Sequence, residues 1–313
     1  MMARPLPHDN RLICKKYRIL TRKPLYMTNF KFTVFTPCYN GEKTVERVFK
    51  SVANQTYTNF EWIIVNDGSK DNSGKRIAEL RQQYPQIDSK IIYLEQENLG
   101  KHMAWNRGVE LATGDLWLSA DCDDSFLPNT LEYFNEKVNS LPDVAGGGDL
   151  RNSRFSGVNV CVFDPKTGEM IGSPYPQDGM ESDNVELQYR YHIQGEHWGI
   201  VRTDLLRKYK FPIVKGHFYT ENRIWFSFAR DGYKVMCFND CLRAYFYEAT
   251  SLTNNAGYRF DYNTSLMYLQ NSIWVLKNLG RRILDCSSIE YLRLYLIIAK
   301  GFVKIGLCKF FGK

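Results

Sequence analysis

FKFTVFTPCYNGEKTVERVFKSVANQTYTNFEWIIVNDGSKDNS, Phe30 to Ser73, is the stretch on which the fold turns. It opens with a β-rich apolar run, Phe30 to Phe35, closed by the turn-forming TPCYNG. Val45, Val48, Phe49 and Val52 then recur at helical spacing and mark one apolar face. FEWIIV, Phe60 to Val65, is a second apolar run, ended by the polar NDGSKDNSG. Two continuous apolar strands separated by an amphipathic helix predict parallel strands buried on both faces.

The same alternation continues downstream. Ile77, Leu80 and Tyr84 give a helical stripe, and Lys90 to Leu94 a third strand. A helix follows from about His102 to Leu111, and ATGDLWLSA supplies a fourth strand. The expected class is α/β, a mostly parallel sheet flanked by helices. Ligands of such sheets gather beyond the carboxyl ends of the strands. Three polar loops leave strands at that edge: TPCYNGEK, NDGSKDNS and ADCDDS.

Past Leu127 the pattern loosens. LPNTLEYFNEKV reads as a helix, and GVNVCVFD with KTGEMIG as a β-hairpin. Residues 172–195 read as loop with some helix, and GIVRTDLLRKY as strand then helix. A helix over Glu221–Arg230 and a strand over Lys234–Phe238 are expected next. Only helical patterns remain from Tyr262 to Gly312. The expected organisation is an arm over 1–29, a domain over 30–240 in two halves (30–130 and 131–240), and a helical extension over 241–313.

Of the 313 residues 44% are hydrophobic and 24% charged, which fits a folded protein with a sizeable core. The formal charge of +7 suits an anionic membrane surface, a phosphorylated substrate or nucleic acid. No finger spacing and no Arg/Lys stripe with interleaved aromatics is present, which argues against nucleic acid. The eight cysteines are expected to be reduced, in a cytosolic protein without a signal peptide. No apolar run is long enough for an ordinary membrane span. Tyr291 to Lys313 interleaves bulky apolar residues with Arg293, Lys300, Lys304, Lys309 and Lys313 and contains no acid. It reads either as a helix lying in an anionic membrane interface or as a terminal helix packed on the domain.

LSADCDDSFLP places Asp121, Asp123 and Asp124 within four positions at a strand end. One of them suffices to cap the next helix. The set has two readings: a helix cap with a solvated turn, or hard oxygen ligands for Mg²⁺ or Mn²⁺ together with substrate phosphates. There is no GxxxxGK[ST] loop and no GxGxxG after the first strand, which argues against P-loop hydrolysis and dinucleotide binding. Asp67 follows the second strand, where it can serve an Asx-type turn or accept hydrogen bonds from a base or ribose.

FTVFTPCYNGEKTVERVFKSVANQTYTNFEWIIVNDGSKDNS and ENLGKHMAWNRGVELATGDLWLSADCDDSFLP together resemble family 2 glycosyltransferases of the GT-A fold, and among them bacterial surface-polysaccharide enzymes. The resemblance implies metal-dependent transfer, with inversion, from a nucleotide-sugar. The donor implied is a UDP-sugar, the cofactor Mn²⁺ or Mg²⁺, and the acceptor a glycan or lipid-linked glycan. It implies that Asp67 contacts the nucleobase, that Thr36, Pro37 and Tyr39 surround it, and that Glu42 is the acid after that loop. Asp121 and Asp123 match the two acids of a DxD motif, with Asp123 the nearer metal ligand and Asp124 the acid that often follows. Lys101 and Asn106 fall on the helix bordering the donor. The catalytic base of the family often ends an acidic pair opening a helix. Here that pair is Glu221–Asn222, and Asn222 cannot accept a proton, so Glu221 is the expected base, with Glu196 and Asp178 as rivals. His197 is a candidate for metal or diphosphate, and Arg151, Asn152, Trp198 and His197 for the sugar pocket. O-antigen, capsule or lipopolysaccharide assembly at the inner face of the plasma membrane would fit. A non-catalytic sugar-nucleotide binder and a nucleotidyltransferase are the competing readings.

Overall fold

The computed structural model describes residues 27–212, 221–246 and 262–310. The expected N-terminal arm therefore lies almost wholly outside the described residues, as do 213–220 ahead of Glu221 and 247–261. The elements follow in the order β1 (Phe32–Cys38), α1 (Val45–Ala53), β2 (Phe60–Asp67), α2 (Ser73–Gln83), α3 (Pro85–Asp88), β3 (Ile91–Gln96), α4 (Lys101–Leu111), β4 (Leu116–Ser119) and β5 (Ser125–Phe126). Next come α5 (Thr130–Asn139), β6 (Phe155–Phe163), β7 (Met170–Ile171), β8 (Met180–Ser182), α6 (Asn184–Tyr189), β9 (His197–Arg202), α7 (Thr203–Lys208), α8 (Asn222–Arg230) and β10 (Lys234–Ala244). Two long helices close the described chain, α9 (Tyr262–Cys286) and α10 (Ser288–Phe310).

The main path of the sheet runs β3-β2-β1-β4-β9-β6-β10-β5. Strands β3, β2, β1 and β4 are mutually parallel. Beyond them β9 inserts antiparallel between β4 and β6, β10 runs parallel to β6, and β5 antiparallel to β10. The sheet is therefore mixed, which corrects the mostly parallel expectation: only its N-terminal part obeys it. The expected hairpin is present as β6 and β7, and the last expected strand runs on to Ala244 through irregular register.

Every residue of β1 and β2 is buried because helices cover both faces. Alternate residues point to opposite sides. Val34, Trp62, Ile64 and Leu118 join the α1 face, where Phe49 meets Trp62 edge-on at 4.5 Å. Phe35, Ile63, Val65 and Trp117 join the α4 face with Trp105 and Val109. At the N-terminal edge Glu61 is buried and accepts from Thr33 Oγ1 at 2.7 Å, Thr113 N at 2.5 Å and Gly114 N at 3.1 Å, with Lys31 Nζ 2.9 Å away. Burial alone would raise its pKa. The bonds from Thr113, Lys31 and Thr33 outweigh it and hold the carboxyl at about 2.

Helices α9 and α10 pack on each other and, through Val275, Leu279 and Ile283, on Val185 of α6 and Phe226 of α8. Arg282 ties them to Asp183 at 2.6 Å, and the Arg223 guanidinium lies 3.6 Å from the Trp274 ring centre. The outer side of α10 leaves Ile289, Leu292, Leu296 and Val303 at 60% exposure or more. Among the described residues no helix is long and apolar enough to cross a membrane.

Candidate active site

The carboxyl ends of β1, β2, β3 and β4 share one edge, and their loops are stitched together there. Asn40 N donates to Ser69 Oγ at 3.0 Å, and Lys70 N to Asn40 Oδ1 at 2.8 Å. Gly41 N donates to Ser73 Oγ at 2.8 Å, and Glu42 N to Asp71 Oδ2 at 3.1 Å. The Glu42 side chain in turn accepts from Asn72 Nδ2 at 3.1 Å. The polar residues of NDGSKDNS thus hold the first loop in place. Beside them opens a polar cleft of about 280 Å³, lined by Asn66, Ser69, Asp71, Asn72, Lys75 and Glu95 among others.

Thr36 and Pro37 are buried in β1, and Thr36 Oγ1 accepts from Trp62 Nε1 at 3.0 Å. Of the expected base-contacting trio only Tyr39 reaches the surface, at 40% exposure. Asp67 is also engaged within the fold. It is 3% exposed, and its two oxygens accept from Gln96 Nε2 (2.7 Å), Leu99 N (3.0 Å) and Gly100 N (2.8 Å). It anchors the loop that opens α4, where Gly100 has φ +91° and a side chain would be strained. Asn106 also serves the fold, exchanging both of its hydrogen bonds with the backbone of Phe211 at 2.9 and 3.0 Å.

Residues 121–124 form a tight turn after β4. Asp124 N donates to the Asp121 carbonyl at 2.9 Å, and Asp121 N to Asp124 Oδ2 at 2.9 Å. Asp124 is buried and faces Arg243 Nη1 at 3.2 Å, while Arg243 Nη2 reaches Glu196 at 3.3 Å. Burial pushes the Asp124 carboxyl up to about 7; Arg243 opposes this, and Asp121 and Asp123 add to it. The Asp123 carboxyl is also pushed upward, by burial and then by Asp121.

Lys101, the first residue of α4, joins the acidic loop to the start of α8. Its Nζ lies 2.9 Å from Asp121 Oδ2 and 3.0 Å from Glu221 Oε1. Burial would lower its pKa, but the two carboxylates raise it above the usual lysine range. The other oxygen, Asp121 Oδ1, is buried with no hydrogen-bond partner.

The four expected metal ligands are not brought together. Among the described residues no three His, Cys, Asp or Glu side chains form a cation-holding group. Asp124 is turned inward to Arg243. His197 starts β9 at the right edge, but its Nε2 is 2.9 Å from the Ser173 carbonyl and its ring lies against Tyr175. Asp121 and Asp123 remain. One or two carboxylates are what a Mg²⁺ or Mn²⁺ shared with substrate phosphates needs, and the unpartnered Asp121 Oδ1 fits that use.

The rival acids are engaged too: Glu196 with Arg243, and Asp178 with Asn239 N at 2.8 Å. Trp198 is core, packed on Phe126 and Phe134, its Nε1 2.6 Å from the Ser119 carbonyl. Arg151 and Asn152 precede β6, whose residue Gly157 pairs with Val201, next to the partner of Leu116 at the start of β4. They therefore stand at the opposite edge from the acidic loop, which corrects their expected place in a sugar pocket. Sequence reasoning missed Arg243. A lone charge inside the apolar CLRAYFY run was the available signal.

Residues 33–160 match the family described as Glycosyl transferase family 2. Curated relatives reach 37% identity over 195 residues. One, the putative teichuronic acid biosynthesis glycosyltransferase TuaG of Bacillus subtilis, is 28% identical over 240 residues, 73% of this chain and 84% of the relative. The chain spans 15% to 52% of the length of the first curated relatives it matches. Two solved structures share the fold. S. aureus TarS 1–349 in complex with UDP-GlcNAc has a TM-score of 0.59 at 17% identity, over 88% of this chain and 72% of that one. The mannosyltransferase PcManGT of Pyrobaculum calidifontis, in complex with GDP-Man and Mn²⁺, has a TM-score of 0.59 at 17% identity, over 94% and 79%.

Proposed function

We propose that this chain, whose residues 33–160 match Glycosyl transferase family 2, transfers a sugar from a UDP-sugar to a hydroxyl of a surface glycan or lipid-linked glycan, with inversion. The observation that carries this reading is the Asp121–Lys101–Glu221 bridge, which places a DxD acid, a cation and the candidate base in one cluster. In this reading residues 30–240 form a transferase domain of the GT-A type and 241–313 its extension.

In this reading Asp123 and Asp121 hold Mn²⁺ or Mg²⁺. When bound, the ion neutralises charge on a departing diphosphate. Lys101 adds a second positive group near that charge and fixes the Glu221 carboxylate through Oε1. Glu221 takes the proton of the acceptor hydroxyl. The polar cleft beside Asn66 and Glu95 receives the base. TarS in complex with UDP-GlcNAc supports uracil. PcManGT in complex with GDP-Man keeps guanine as a second reading. TuaG, by its name a teichuronic acid enzyme, supports a surface polymer as the product. The exposed apolar residues of α10, with Arg293, Lys300 and Lys309, suit peripheral contact with anionic lipid at the inner face of the plasma membrane.

The test is to incubate the full chain with labelled UDP-sugars, with Mn²⁺ or EDTA, and to follow UDP release. Metal-dependent release abolished by Glu221→Gln supports the reading. Release indifferent to both would overturn it.

A further inference from the structure

β1 and β4 are parallel, with Phe35 level with Ser119, and Ala120 N donates to the Phe35 carbonyl at 2.8 Å. Three residues further on stand Cys38, the last residue of β1, and Cys122, in the tight turn that follows β4. Gly41 covers the pair: a Cβ built on it would lie 2.9 Å from both sulfurs, so the two thiols converge on one point. Both are free, Cys38 buried and Cys122 half-buried.

We propose that Cys38 and Cys122 are a dithiol modification site, closed to a reversible disulfide by a low-molecular-weight disulfide such as oxidised glutathione. The Cys122 sulfur attacks one sulfur of the external disulfide, breaking its S–S bond and releasing one thiol. The Cys38 thiolate then attacks the Cys122 sulfur of the mixed disulfide and releases the second thiol. Both protein thiol protons end on the released thiols; the protein is oxidised and the external disulfide reduced. Hydrogen bonding from Cys122 lowers the Cys38 pKa against the effect of burial, and Ser73 and the Gly41 backbone lower it further, which favours the resolving thiolate; the same contact and burial raise that of Cys122, so its attack on the external disulfide is the slow step. Cys161 and Cys241 also face each other, across β6 and β10. Burial pushes their thiols up to about 12 and about 11.

Cys122 stands between Asp121 and Asp123. Closing an S–S bond of about 2.05 Å draws that loop toward β1 and displaces both carboxylates. This consequence, unlike the cross-link itself, rests on the donor-site reading above.

The experiment treats the full chain with oxidised glutathione and maps it without reduction by mass spectrometry. The expected product joins the tryptic peptides Phe32–Lys43 and Gly108–Lys137, two hydrogens lighter than their sum. It also forms in Cys241→Ser. Calorimetric binding of UDP with Mn²⁺ should weaken at least about tenfold on oxidation, the scale of losing support around a metal site, and recover with dithiothreitol. Glutathione left on Cys122 with no cross-link, or a cross-link to another cysteine, overturns the site. A Cys38–Cys122 bond with unchanged UDP binding overturns its control of the donor. A reduced protein that binds no UDP sinks the donor reading instead, while the peptide masses still decide the cross-link.

Discussion

Glu61→Gln should destabilise the fold in a pH-dependent way that the structure fixes in sign and size. The Glu61 carboxyl is buried at the N-terminal edge, where Thr33, Thr113, Gly114 and Lys31 all donate to it. Its pKa falls from an ordinary 4.5 to about 2. At about 1.4 kcal/mol for each tenfold change in proton affinity, that is about 3 kcal/mol of stability at neutral pH. Because the folded value is depressed, this stability is fully present above 4.5 and is lost as pH falls toward 2. The substituted amide keeps one acceptor oxygen but turns an N–H₂ donor toward groups that themselves donate. Urea midpoints of both proteins at a series of pH values measure the effect. The gap should be about 3 kcal/mol at pH 7 and shrink steadily below about pH 4.5. A gap constant down to about pH 3 would refute the reasoning, because it would show that the carboxylate charge is not what those donors stabilise.

Asp123→Ala should slow transfer on the order of 10²-fold, about 3 kcal/mol of transition-state stabilisation, in single-turnover assays with saturating donor. Lys101→Met should also cut turnover on the order of 10²-fold. It should leave Mn²⁺ affinity equal or tighter, since Asp121 loses its competing cation; weaker Mn²⁺ binding by titration would contradict this. Arg243→Met strands a buried Asp124 and should cost about 3–5 kcal/mol in urea unfolding. Arg243→Met with Asp124→Asn should recover most of that, and a double variant no better than the single would refute the pairing. Leu292→Glu with Leu296→Glu on α10 should abolish pelleting with anionic vesicles at low salt, and unchanged pelleting would remove the membrane role.

The N-terminal half was legible because its strands are buried on both faces. FTVFTPC and FEWIIVND read as apolar runs, and α1 shows its buried stripe at helical spacing. Strand β9 was legible as a strand but not in its place. Its alternating burial says that one face is covered, not which neighbours it joins or in which direction. The acids of the site were legible as a local cluster. Their partners were not: Arg243 lies 119 positions from Asp124, and only the fold brings them together. The partners of Asp67 were hidden for the same reason, since the N–H groups it accepts from belong to a loop 32 and 33 positions away.

Calorimetric titration of the reduced full chain with UDP, with and without Mn²⁺, in wild type and Asp123→Ala, tests the central claim most directly. The account predicts binding by the wild type that needs the metal and is lost in the variant. UDP binding of equal strength with or without Mn²⁺, unchanged by Asp123→Ala, would contradict it.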